Sequence, residues 1–517
     1  METSKNKKNE KSSTKAVKHD GMEKTSTGSK EQTEKLQLKR QVNLLGGVSI
    51  IIGSIIGSGI FISPKGLLQY SGSAPVSLII WTACGIISLF GALCFAELGT
   101  LIPLSGGDYI YLLKGFEDLG SASPIPAFLF LWISIITLTP SSSAILSLTV
   151  AEYIIEPLYP NCASPFMVKK LVAVLVICSI AVFNCASVKL TTGFNIFFTS
   201  AKLTALILII LCGIVNIYKN GIPEEITTFE GSETSVKNIA IAIYFGMWAY
   251  SGWNSLNNLT EELIEPEKNI LRAIVISLPV VTICYILTNI AYLTAMSPAE
   301  LLSSDAVALL FANNVFGKAA PVIPVLVAAS AYGCALVGCL GTARLAFVAA
   351  REGHLLDLLS YIHVNYLTPV PAVIFNTIIS VIFISLGNFN SLINFLSFST
   401  WLFLGLEMIV LMYMRWSKRD KKRIYKANLL FPIIMLLTSI YLVFVPIIQD
   451  PQWEYLYACL FILAGLLLYI PFVHYKIHLN CIDKFTFFMQ CLLLVAPSDK
   501  FYNEDSEKAK DLSSTKM

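Results

Sequence analysis

Two apolar stretches carry residues that an ordinary membrane or core helix would avoid. Gly53-Ser54-Ile55-Ile56-Gly57-Ser58-Gly59-Ile60-Phe61 places three glycines and two serines inside a hydrophobic run, and Tyr244-Phe245-Gly246-Met247-Trp248-Ala249-Tyr250-Ser251-Gly252-Trp253-Asn254 repeats the interruption with aromatics interleaved. A glycine inside a helix costs about 1 kcal/mol relative to alanine. Close packing of the small-xxx-small kind would account for Gly53 and Gly57 alone. A pair of interrupted segments at corresponding places in two halves of a chain instead points to a transporter with its site at the membrane midplane. The expected chemistry follows from the breaks. Unwinding at Gly57-Ser58-Gly59 frees backbone N–H groups at the positive end of a half-helix, which suits a carboxylate. The half-helices ending near Ile55 and Ile56, and near Met247 and Trp248, offer carbonyls that suit an ammonium. Such a site reads the zwitterionic part shared by all α-amino acids and leaves the side chain to other residues.

Two further residues stand out by place. Lys202, in Thr199-Ser200-Ala201-Lys202-Leu203-Thr204, lies within an apolar span, where a charge is expensive and by default functional; the alternative is snorkelling to the interface. A fixed ammonium there would occupy the place of a coupling cation and argues against sodium drive. Cys162, in Pro160-Asn161-Cys162-Ala163-Ser164-Pro165, sits alone in a loop, so it is either a free thiol or half of an intermolecular disulfide. The other eleven cysteines read as small packed hydrophobes.

The elements that must position these residues follow from composition. The chain has 517 residues, of which 55% are apolar and only 14% charged, with mean hydropathy +0.68. That charge is about half of what a water-facing surface carries. A net charge of +3 is also far from the basic footprint of a nucleic-acid binder. Apolar runs begin near Val42, Pro75, Ala127, Val168, Ile196, Ile239, Ala273, Val322, Pro369, Ile393, Asn428 and Tyr455, giving about 12 spans in an all-α polytopic membrane protein. Residues 1–41, rich in Lys, Ser, Thr and Glu, read as a disordered tail, 42–477 as the transport domain and 478–517 as a C-terminal tail. With the N-terminus in the cytosol, thirty of the 37 basic residues fall inside, six outside and Lys202 within a span. The positive-inside bias therefore places both tails in the cytosol and the Cys162 loop outside. An enzyme is disfavoured: the 5 histidines lie in the tail or at span ends, and no cofactor or metal pattern is present. A channel filter is absent too.

Several motifs in order resemble the light chains of the heteromeric amino acid transporters. They are Gly53 to Gly66, Phe90-Gly91-Ala92-Leu93-Cys94-Phe95-Ala96-Glu97-Leu98-Gly99-Thr100, Thr260-Glu261-Glu262, Arg351-Glu352-Gly353-His354-Leu355, Trp453-Glu454-Tyr455-Leu456-Tyr457 and Phe472-Val473-His474-Tyr475-Lys476. Within that family they are most like the b(0,+)-type and aromatic-preferring light chains. The resemblance implies a LeuT-like fold, with inverted repeats over about 42–219 and 236–414 and two appended helices over about 428–477. It implies obligatory, sodium-independent exchange at the plasma membrane, and a disulfide from Cys162 to a single-pass glycoprotein heavy chain of the rBAT or 4F2 antigen type. Lys202 matches the family lysine at a vacated sodium position, Tyr285 its partner, and Trp248 the gate over the substrate. The substrate-lining expectation is Ile55, Gly57, Ser58, Gly59, Trp248, Ser251, Asn254, Phe398 and Trp401. Ser251 stands where the b(0,+) pattern has an aspartate, and without that counter-charge a cationic side chain would be costly to hold; neutral, including aromatic, substrates are favoured. Leu336-Val337 stand where the family usually shows Asn-Gly, making that wall more apolar. Glu117 to Ser123 forms a longer connection before the third span. The alternatives are a broad exchanger of neutral and cationic amino acids, a uniporter, or a proton symporter working through Lys202 or Glu97.

Overall fold

The computed structural model describes residues 42–102, 104, 106–159, 164–186, 188–304, 306–317, 320–386, 389–449, 453–477 and 480–497. The predicted N-terminal tail and Cys162 lie outside the described residues. The first span is divided as its glycines require. Helix α1 (Leu44–Ile55) starts where the Asn43 side chain caps the Gly46 amide, and it stops at Ile56, whose backbone turns extended. Helix α2 (Gly59–Ser71) resumes at an angle of 47°. Helix α3 (Ala74–Leu101), opened by Pro75, is an unbroken second span.

A short helix, α4 (Gly107–Gly115), and a 3-10 turn over Glu117–Ala122 lead into the third span. Gly120, at φ 69°, lets the longer connection turn without disturbing that span. The third span runs from α5 (Pro124–Ile133) through a π turn at Ser134–Leu138 into α6 (Thr139–Ile155). Pro140 cannot donate to the helical ladder, and the wider turn lies just before it. Helices α7 (Phe166–Ala186) and α8 (Val188–Asn220) follow.

The sixth span is helical only over α9 (Val236–Ala249); it turns at Tyr250 to Asn254, with Gly252 at φ 102°, and continues as a 3-10 segment over Ser255–Glu262. Next come α10 (Pro266–Ala295), two short helices α11 (Pro298–Ser303) and α12 (Val307–Phe316), then α13 (Val322–Arg351), α14 (Val370–Leu386) and α15 (Phe389–Ser417). The appended helices are α16 (Leu430–Gln449), which packs on α3, α9 and α15, and α17 (Trp453–Leu468), which packs on α5 and α15. Part of the predicted C-terminal tail is ordered: α18 (Asn480–Leu493) ends in a strand, Val495–Ala496, paired antiparallel with Ile362–His363.

Among the described residues, nine helices are long and apolar enough to cross a membrane, and the bent α1–α2 pair makes ten. The remaining two predicted spans are represented by α9 and α14, both apolar but shorter. The chain is a multi-pass, helical membrane protein.

Large apolar side chains such as Leu175, Leu211, Leu437 and Leu467 are exposed on the outside of these helices, as a lipid-facing surface requires, while Trp81, Tyr109, Tyr250 and Tyr285 are fully buried. A buried carboxylate with two arginine partners fastens the end of α3 to the end of α15. Glu97, with no exposed surface, accepts from Arg415 Nε at 3.0 Å and Arg415 Nη2, from Arg423 Nη1 at 2.8 Å and from the Ala427 amide at 2.8 Å.

Candidate functional site

The two interrupted spans cross at their breaks, and glycines make the crossing possible. A Cβ on Gly59 would lie 2.4 Å from Ala249 Cα, and one on Gly252 would lie 2.9 Å from the Ser54 carbonyl oxygen. The start of α2 therefore rests on the end of α9, and the turn after α9 rests on α1. Gly57 would place a Cβ 3.2 Å from Cys334 Sγ, whereas at Gly53 the nearest atom is Thr199 Oγ1 at 3.5 Å. The close-packing glycine is thus Gly59, against the other break, and Gly53 has room for a methyl group.

At this crossing, backbone groups are left over. The amides of Gly57, Ser58 and Gly59 donate to no acceptor among the described residues; Phe61 N is the first to bond, to Ser58 O at 3.0 Å. Free N–H groups at the start of α2 make an anion cradle. Several of the carbonyls expected to be free are already taken. Gly53 O accepts from Lys202 Nζ at 2.7 Å, Gly57 O from Ser330 Oγ at 3.4 Å, and Trp248 O from Ser251 N at 3.1 Å. Tyr285 Oη lies 2.9 Å from Ile55 O and 3.0 Å from Ala249 O, so one hydroxyl is shared between the carbonyl ends of both half-helices. Carbonyls without an N–H or O–H donor include those of Ser54, Ile56 and Met247, which narrows where an ammonium can sit.

Lys202 is 1% exposed and its ammonium reaches the broken span, so it does not snorkel. Tyr285 does not hydrogen-bond to Lys202, as the resemblance implied; each serves a different carbonyl of α1. The second partner of Lys202 is Cys334 Sγ, at 3.2 Å, and that sulfur also lies 3.6 Å from Ile56 O. The sequence reading missed Cys334 because cysteine in an apolar run reads as a packed hydrophobe. The available signal was spacing: Ser330 and Cys334 are four apart and share one face of α13. Leu336, expected to form the apolar wall, points elsewhere. It is fully buried, its carbonyl accepts from Asn184 of α7, and it lines a lateral apolar groove with Phe183 and Tyr332.

The remaining predicted residues divide. Ile55 and Ser58 are buried at the first break, Trp248 is half-buried on the last turn of α9, and Ser251 is exposed in the second break. Asn254, three residues further, donates Nδ2 to Asp108 at 3.2 Å and takes no part at the crossing. Phe398 and Trp401 are core residues of α15: the Phe398 ring faces Tyr455 of α17 at 5.4 Å, and the Trp401 carbonyl accepts from Ser439 of α16. No ring contact or hydrogen bond brings either to the breaks among the described residues. Glu97 is held by two arginines and lies away from the breaks.

Comparison with known proteins places the chain in a family. Residues 42–467 match the amino acid permease family. The chain is 47% identical over 464 residues, 88% of its length and 94% of the relative's, to the b(0,+)-type amino acid transporter 1 of Mus musculus. It is 44% identical to the human cystine/glutamate transporter (82% of this chain, 84% of the relative) and 42% identical to the human large neutral amino acids transporter small subunit 2 (80% and 77%). Those relatives are named as transporters, not enzymes. With two crossed broken spans, a lysine anchored to one of them and a family match over most of its length, the chain belongs to the amino acid permease family.

Proposed function

We propose that this protein is a sodium-independent exchanger of neutral, including aromatic, L-amino acids. The observation that carries the reading is the Lys202 ammonium, buried and bonded to Gly53 O beside the unfilled amides of Gly57, Ser58 and Gly59. A fixed cation at that point leaves no room for a sodium ion, while the amides suit a carboxylate and the carbonyls of Ser54, Ile56 and Met247 suit an ammonium. Ser251, exposed in the second break beside Trp248, favours uncharged side chains, since it supplies no counter-charge. With Phe398 and Trp401 turned into the core, Trp248 is the aromatic that supports aromatic substrates.

The same reading makes the chain the transporting light chain of a heterodimer at the plasma membrane, with both termini cytosolic and Cys162 bonded to a single-pass glycoprotein of the rBAT or 4F2 antigen type. It is supported by the charge asymmetry of the loops and by the kind of relatives the chain has. It also retains the internal repeats over about 42–219 and 236–414.

Reconstituted protein loaded with unlabelled leucine should take up labelled leucine or tyrosine, with no effect of replacing sodium. Uptake that is equally fast into empty liposomes would refute exchange. Arginine should compete poorly, and strong competition would restore the broader neutral-and-cationic reading. Cys162→Ser should abolish the heavy complex on non-reducing gels and leave exchange intact.

A further inference from the structure

Helix α18 presents large apolar side chains that no membrane span accounts for. It opens at Asn480, close behind the last span, which ends at His474; a connection of that length reaches at most about 22 Å. Beyond the helix, Val495–Ala496 pairs with Ile362–His363, in the connection between α13 and α14. Met489 and Leu493 of α18 pack with Val495 against Leu358 and Val370. The same small cluster takes in Cys185, on the last turn of α7, and Ile374, on the second turn of α14. The helix is therefore held level with the ends of two spans, where hydrocarbon gives way to headgroups, and the chain is tied there on both sides of it.

Two apolar rows run along α18. Ile482, Met489 and Leu493 form the half-buried row on the docked side. Cys481, Phe485, Phe488 and Leu492 recur at the spacing of one helix face, and this row is uncovered: Phe485, Phe488 and Leu492 are each more than half exposed. The rows adjoin, since Met489 follows Phe485 by one helical turn, so the apolar surface continues from the docked side to the open one. Asp483 and Gln490 lie on the opposite side, together with Phe487, an apolar residue as exposed as the others. Lys484, one turn before Phe488, borders the open row; it is exposed and has no ion pair among the described residues. Either a bilayer leaflet or a second copy of the chain would cover such a row, and the surroundings favour the leaflet. The exposed lipid-facing surface of the last span, Leu463, Leu467 and Ile470, is continued by Tyr475 and Ile477 toward α18. A lysine at the edge of an apolar row is also the arrangement of helices that lie in a membrane surface.

We propose that α18 lies in the plane of the membrane surface, with Phe485, Phe488 and Leu492 immersed at the boundary of headgroups and acyl chains and Lys484 reaching back to the lipid phosphates. The occupant of the open row is the phospholipid leaflet. Through the Val495–Ala496 strand, immersion fastens to the bilayer the connection that leaves α13, the helix whose Ser330 and Cys334 meet the first break. That the leaflet is the inner one rests on the topology proposed above, while immersion does not.

Spin labels on the full-length protein in phospholipid nanodiscs test the orientation. Cys162, Cys178, Cys481 and Cys491 are replaced by serine, and one cysteine is added as Phe485→Cys, Phe488→Cys, Leu492→Cys or Phe487→Cys. Each label is exposed in turn to oxygen, which concentrates among acyl chains, and to a water-soluble nickel chelate. The first three should have an oxygen-to-nickel accessibility ratio several times that of Phe487→Cys, corresponding to a depth of about 5–10 Å below the headgroups. Equal ratios at all four positions overturn the orientation. Exclusion of both reagents from the first three overturns immersion, because it means that protein covers the row. If the serine background does not fold, the wild-type chain reconstituted with a phospholipid bearing a photoactivatable diazirine near its glycerol serves instead. Adducts should then map to Phe485, Phe488 and Leu492, and their absence from these residues, or their equal presence on Phe487, overturns the proposal.

Discussion

Alanine substitution at the three glycines of the first break should give a graded response set by the room at each. At Gly53 the new methyl meets Thr199 Oγ1 at 3.5 Å, at Gly57 it meets Cys334 Sγ at 3.2 Å, and at Gly59 it meets Ala249 Cα at 2.4 Å. The first is an ordinary contact, and a gain in helix propensity of up to about 1 kcal/mol makes Gly53→Ala neutral or slightly stabilising. The last requires the start of α2 and the end of α9 to part by about 1 Å, an overpacking cost of about 1–3 kcal/mol. Because the displaced backbone carries the free amides, that cost should appear as a loss of substrate affinity of roughly 5- to 150-fold. Gly57→Ala should fall between them, and Cys334→Ala should relieve it by removing the sulfur, since the next atom, Cys334 Cβ, is 3.8 Å away. The assay is counterflow of labelled leucine with competition curves, alongside thermal stability of the purified protein to separate misfolding from site damage. If Gly59→Ala binds like the wild type, or if Gly53→Ala is as damaging as Gly59→Ala, the crossing of the breaks has been misassigned.

Other perturbations follow from the same contacts. Lys202→Met leaves Gly53 O with only the weak Cys334 thiol donor, at 3.8 Å, and removes the fixed cation; exchange should fall at least tenfold, the loss of one charge-assisted hydrogen bond, as measured by initial counterflow rates. Arg415→Ala strips the buried Glu97 of its bidentate partner and should cost about 3–5 kcal/mol, seen as loss of monodisperse protein on size exclusion, with Glu97→Gln milder. Cys334→Ser keeps a small polar group against Lys202 and should retain exchange, while Cys334→Leu should abolish it without loss of folded protein.

The parts of this protein legible in its sequence are those that a single segment determines. Apolar length gave the spans, and glycine inside apolar runs located both breaks, because the cost of glycine in a helix is a local quantity. Lys202 was legible for the same reason: a charge in lipid is conspicuous wherever its partner lies. The form of the sixth span beyond its break was not legible: the segment after Gly252, at φ 102°, is a 3-10 segment and not a second α-helix. Roles set by pairing across the fold were not legible. Tyr285 looks like any aromatic of a long helix until its hydroxyl is found between Ile55 O and Ala249 O. Arg415 and Arg423 entered the charge count as markers of the cytosolic side, yet both are consumed by Glu97.

That last distinction bears on how the transporter handles charge. Basic residues at the ends of spans serve two purposes that sequence cannot separate: orienting the chain, and neutralising carboxylates buried between helices. Glu97 has its arginines and is fixed, so it ties α3 to α15 and to the loop before α16. Asp108, at the start of α4, is held differently, by the neutral Asn254 amide, which supplies hydrogen bonds but no compensating charge. A transporter must keep some helix contacts permanent and let others open. The Glu97 contact, whose compensating charges are covalently part of the protein, is of the permanent kind.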